Sequence, residues 1–116
     1  MSDPSDPLTE KAGLAFGDRV RVVATKETVE AAVADRIGVI HGHTTVSLGY
    51  ASTVVGQPRN DVAVNVGFDG GGNAWIAPHL VEFIDFNAGS QIGIGGQTLT
   101  RNERGEWIRD EPEPRR

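Results

Sequence analysis

Short valine-rich runs broken by glycine predict an all-β fold. Glycine supplies 15 of the 116 residues and aromatics only 6%, and the apolar positions mostly alternate instead of recurring at helical spacing. At 116 residues and 38% hydrophobic content, the chain is sized for one domain with tails.

The leader MSDPSDPLTEKAG (residues 1–13) is polar, repeats Asp-Pro and ends in Gly, so it is expected to be flexible. The domain starts near Leu14. In FGDRVRVVAT, Gly17 and Asp18 form an entry turn; Val20 and Val22 share one face, with Arg19, Arg21 and Val23 on the other. KETVEAAVADR sets Val29, Ala32, Val33 and Ile37 at near-helical spacing, with Glu27 early and Arg36 late, and predicts a short helix inside a loop. RIGVIHGH predicts a second strand with Ile37, Val39 and His41 on one face and Gly38, Ile40 and Gly42 on the other. Glycine there marks a bend or a close backbone approach.

TTVSLGYASTVVGQPRN is too long for an ordinary hairpin loop, and Val46, Leu48 and Tyr50 alternate with Ser47 and Gly49. A flap or an extra β-ribbon is expected over residues 44–57. DVAVNVGF then puts Val62, Val64, Val66 and Phe68 on one face of a strand. The following DGGGN is not a phosphate cradle, because no Lys-Ser/Thr and no helix succeed it. Trp75 and Ile76 favour a strand and Pro78 opposes a helix, so the glycines supply a hairpin tip. APHL predicts one helical turn and VEFID a final short strand. QTLTRNERGEWIRDE predicts an appended hairpin, with Asn102 opening its turn, Gly105 at positive φ, and Leu99 meeting Trp107 across it. The resulting organisation is a leader at 1–13, a barrel at 14–87, a hairpin extension at 88–110 and a disordered tail at 111–116.

The order strand, long loop, strand, long loop, strand, tight turn, strand, helical turn, short strand resembles a small SH3-like barrel of about five strands. The resemblance covers roughly residues 14–85. WIAPHLVEFID is similar to the end of SH3 domains, which places Pro78 at their conserved proline and Leu80 at the aromatic position that follows. GDRVRV resembles the first strand of bacterial SH3-like domains, including the small photosystem subunit, the nitrile hydratase β-chain and the CarS-type antirepressors. The chain departs from peptide-binding SH3 domains in having no Tyr in RVRVVATKETVEA and only Trp75 in place of their paired tryptophans. The aromatic groove for proline-rich ligands is therefore incomplete.

With no cysteine, disulfides, thiolate metal sites and cysteine nucleophiles are excluded. No run reaches the roughly 18 apolar residues of a membrane span, and a cytoplasmic location is expected. The net charge is −5, and residues 14–100 hold eight acids against five scattered bases, Arg19, Arg21, Lys26, Arg36 and Arg59. That balance disfavours nucleic acid and points to a protein partner.

His41 and His43 in HGH are expected to point the same way on a strand and, with His79, make a weak metal-ligand pattern; isolated histidines are the better expectation. Neither Ser47, Ser52 nor Ser90 stands in a nucleophile elbow, and Asp61, Asp69, Glu82 and Asp85 each have a turn or strand role. No catalytic or cofactor-binding set emerges. Tyr50 and Trp107 are large aromatics that either anchor an interface or cap the barrel, with packing favoured for Trp107. The expected function is a non-catalytic protein-binding module acting through Val46, Leu48, Tyr50, Trp75 and Trp107. The alternatives are an accessory subunit of an enzyme complex and an acidic mimic that occupies a DNA-binding protein. An edge strand offers self-pairing, which nothing in the residues requires.

Overall fold

In a computed structural model, which describes residues 8, 13–51 and 53–109, the chain divides into two compact units at Asp85/Phe86. The leader apart from Leu8 and Gly13, Ser52, and the tail expected at 111–116 lie outside the described residues.

Six strands make the first unit: β1 (Arg19–Val22), β2 (Ile37–Thr45), β3 (Val54–Val55), β4 (Val62–Phe68), β5 (Asn73–Ile76) and β6 (Val81–Asp85). They lie side by side in the order β3-β5-β4-β2-β1-β6. Every pairing is antiparallel except β3 with β5. The all-β class is thus observed, while the barrel is not closed by a ladder. β3 and β6 are the two sheet edges; β3 is only two residues long and runs parallel to its single neighbour, so among the described residues there is no sixth pairing to complete a ring.

Alternation builds the core. Val20 and Val22 are fully buried while Arg21 is exposed between them, and Val64, Val66 and Ile76 have no exposed surface. Leu14, Ile40, Phe68, Leu80 and Val81 belong to the same cluster, as do Val33 and Ala77. Each such side chain contributes about 1.5–3 kcal/mol relative to exposure, so the valine face of β4 is the structural spine of the unit.

Three glycines shape the sheet. A Cβ on Gly38 would collide with Gly67 O and stand 2.8 Å from Val66 Cγ1, which is the close backbone approach expected of this strand. At the β4–β5 tip, Gly71 (φ 102°) and Gly72 (φ 82°) hold the left-handed conformations, with Gly71 N donating to Phe68 O and Phe68 N to Gly72 O. The triple glycine is a turn. Pro78 then opens the 3-10 turn Pro78–Leu80, which delivers Leu80 into the core.

The helix differs from its expected form. α1 spans only Lys26–Glu30, Val29 is 62% exposed, and the buried residue is Thr28. Hydrogen bonding, not apolar burial, decides this. Thr25 Oγ1 accepts from Thr28 N, Thr25 N donates to Thr28 Oγ1 at 2.7 Å, and Thr28 Oγ1 donates to Val23 O at 2.7 Å. Ala32 at φ 60° lies past the helix end, so Val33 and Arg36 belong to the loop that follows it.

A bulge overturns the expected facing of the histidines. Ile40 pairs with Val66 but Gly42 pairs with Asn65, leaving His41 as an extra residue in β2. Because side chains alternate, one extra residue inverts everything after it. His43 stands opposite fully buried Val64, whereas the His41 ring lies over Gly67, where a Cβ would collide with it.

The second unit is a three-stranded antiparallel sheet, β7 (Gln91–Ile94), β8 (Gln97–Arg101) and β9 (Trp107–Arg109), in place of the expected two-stranded hairpin. Gly95 and Gly96, both at positive φ, form the two-residue turn between β7 and β8. Asn102 and Gly105 take their expected turn roles: Asn102 Oδ1 accepts from Arg104 N and Glu106 N, and Gly105 adopts φ 81°. Trp107 pairs with Arg101, and Leu99 pairs with Arg109, so the expected Leu99–Trp107 pairing is displaced by two residues. Arg101 is 2% exposed, its guanidinium carbon 5.3 Å from the Phe86 ring centre and 5.5 Å from that of Trp107.

Candidate interaction surface

The segment that leaves β2 is pinned where it turns. Val46–Leu48 is a 3-10 turn, not the strand that the Val46, Leu48, Tyr50 alternation predicts. Asp61, at the foot of β4, holds it. Asp61 O accepts from Val46 N at 2.8 Å, Oδ1 from Ser47 N at 3.0 Å and Oδ2 from Ser47 Oγ at 2.6 Å. Asp61 itself sits at φ 58°, a conformation that Asp tolerates better than most residues. Gly49 at φ 82° ends the turn, with its N–H on Val46 O.

The returning chain is fixed as well. Val54 and Val55 pair with Trp75 and Ile76, and Ala77 N donates to Val55 O at 2.9 Å. Gly56 then passes so close to the 3-10 turn that a Cβ there would collide with Leu80 Cδ1. Residues 44–57 therefore combine the end of β2, a capped turn and the short strand β3. Between the two anchors Leu48 is 66% and Tyr50 78% exposed, while Val46 is half-buried.

Trp75 pairs with Val54 on one side and Asn65 on the other, and is half-buried. Its neighbour Ile76 points into the core, so the indole belongs to the outer face of the sheet, where Asn65 Nδ2 donates to Asn73 Oδ1. The structure thus brings Val46, Leu48 and Tyr50 onto one anchored segment, with Trp75 on the strand that receives its return. Trp107 lies in the second unit, half-buried beside Arg101. The Asp61 anchor escaped the reading of the sequence, although the turn-forming run Arg59-Asn60-Asp61 before a strong strand was a signal for it.

Several of the remaining polar candidates have a local partner. His43 Nε2 lies 2.7 Å from Leu14 O; a carbonyl only accepts, so Nε2 carries the proton and donates. His41 and His43 face opposite ways, and the described residues contain no group of three or more His, Cys, Asp or Glu placed to hold a metal ion. Asp69 pairs with Arg19 at 3.3 Å and Glu82 with Arg21, while Asp61 is taken up by Ser47. Asp85 is the register partner of Arg19 on β6. Arg36 stacks 4.1 Å from the Phe68 ring centre and donates to Gly71 O at 3.0 Å. Three of the five bases in the body are engaged in this way. No helix among the described residues is long and apolar enough to cross a membrane.

No family model, curated protein or solved structure matches the chain.

Proposed function

We propose that the first unit is a non-catalytic, SH3-like protein-binding module acting through the segment between β2 and β3. The observation that carries this reading is the exposure of Leu48 and Tyr50 on a backbone anchored at both ends. An apolar and an aromatic side chain held in water on a pre-ordered segment bind with little further loss of entropy. The chain order of the strands, the tight turn after β4 and the 3-10 turn before β6 support the SH3-like arrangement. Engagement of Arg19, Arg21 and Arg36 within the unit supports a protein partner over nucleic acid.

The test uses point variants, because excising residues 44–57 would also remove buried Thr44 and core-packed Val55. The full chain and a Leu48→Ser/Tyr50→Ser variant are immobilised side by side and used to capture proteins from lysate of the native host. A protein retained by the first and lost from the second, with both folded by circular dichroism, supports the reading. Identical retention by both overturns it.

A further inference from the structure

We propose that Asp69–Gly70, at the β4–β5 tip, is a site of spontaneous backbone rearrangement through a succinimide to isoaspartate. The chain holds one Asp-Gly step and no Asn-Gly step. Both residues are exposed, and the Asp69 side chain is 51% accessible. Around them the backbone N–H groups are occupied: Asp69 N donates to Ile37 O, Gly71 N to Phe68 O and Phe68 N to Gly72 O. The Gly70 N–H makes no hydrogen bond with the described residues.

The conformation of the turn explains two of its glycines and not this one. Gly71 and Gly72 need positive φ, but Gly70 does not, and a Cβ built there meets nothing nearer than Arg36 Nη2 at 3.6 Å. A side chain at residue 70 would fit. Its absence leaves the nitrogen that follows Asp69 unhindered.

In the reaction the Gly70 backbone nitrogen attacks Asp69 Cγ and a water molecule leaves from the side-chain carboxyl, closing a five-membered imide. Water then adds to one of the two imide carbonyls. Addition at Cγ restores aspartate; addition at the Asp69 main-chain carbonyl leaves the chain running through Cγ, with a free α-carboxylate. One water leaves and one returns, so mass and oxidation state are unchanged. Reaching the cyclising geometry requires the tip to open, which the run of three glycines eases. The Arg19–Asp69 pair opposes this only weakly, since half-exposed ion pairs contribute little. The product lengthens the β4–β5 connection by one backbone carbon and removes the carboxylate from the place where Arg19 meets it.

The experiment ages the folded full chain at neutral pH and warm temperature. Isoaspartate is then read with a protein-isoaspartate methyltransferase and labelled S-adenosylmethionine, and by separating the peptides that contain residue 69. The expected result is methyl acceptance, with the Asp69 peptide splitting into two peaks of equal mass. Gly70→Ala, which the turn accommodates, should lose most of the signal, and Arg19→Ala should raise it. Absence of the second peak from the folded chain overturns the proposal, whether or not a urea-unfolded sample forms it. So does an undiminished signal in a folded Gly70→Ala variant.

Discussion

Ser47 and Asp61 are joined twice, by backbone N–H to Oδ1 at 3.0 Å and by hydroxyl to Oδ2 at 2.6 Å, and these bonds tie the turn after β2 to the start of β4. Asp61→Ala removes both and leaves an ordinary residue at φ 58°, so a loss of about 1–2 kcal/mol is expected by urea unfolding. Asp61→Gly removes the bonds but relieves the backbone, and should lose less. Capture of a partner through Leu48 and Tyr50 should weaken in both, because the segment carrying them is no longer held.

Gly38 and Gly42 lie in the same strand and should respond oppositely to alanine. At residue 38 the new methyl meets Gly67 O, and a loss toward the upper end of about 1–3 kcal/mol is expected. At residue 42 nothing stands within 4 Å of the built Cβ, so Gly42→Ala should be neutral or stabilise by up to about 1 kcal/mol. Paired thermal melts measure the contrast.

Thr28→Val keeps the side-chain shape inside the protein but strands Thr25 N–H and Val23 C=O, at a cost of about 1–3 kcal/mol. Val29→Ser, at the position where helical spacing expects the apolar face, should change stability by less than about 0.5 kcal/mol. Denaturant titration of the two variants distinguishes a polar anchor from an apolar one.

Arg101→Ala removes the cation lying against Phe86 and Trp107 together with its Nε bond to Gly105 O at 3.0 Å. Amide hydrogen exchange across β7–β9 should accelerate while exchange in β4 stays at its original rate. Equal acceleration in both sheets would show that the two units open together.

The elements read well from the sequence are those governed by short-range chemistry. The β4 valines, the glycine tip, the Pro78 turn and the Asn102–Gly105 turn each follow from side-chain alternation or from a residue's own backbone preference. What was misread depends on a partner distant in the chain or on competing local bonds. Nothing in HGH announces the bulge, because it exists only as a register between β2 and β4. Thr28 is buried through bonds to Val23 and Thr25 that apolar periodicity does not weigh. β7 was legible in principle, since Gly95-Gly96 between Ile94 and Gln97 is a hairpin signal, but Gly93 within it and Gly89 before it obscured the strand. In the candidate surface, the prominence of Leu48 and Tyr50 followed from the length of the insertion, while its anchor, Asp61, lies 14 residues from Ser47.

The extra residue in β2 acts like a shift of reading frame in space. Excising His41 would close that frame again, because Ile40 and Gly42 would become neighbours opposite Val66 and Asn65 and His43 would keep its place opposite Val64, beside Leu14 O. Because Val46 follows directly, the departure direction of the Leu48–Tyr50 segment depends on that register. Lineages that keep this surface are expected to tolerate the loss of residue 41 more readily than the loss of His43, which has a register partner in β4 and a bond to Leu14.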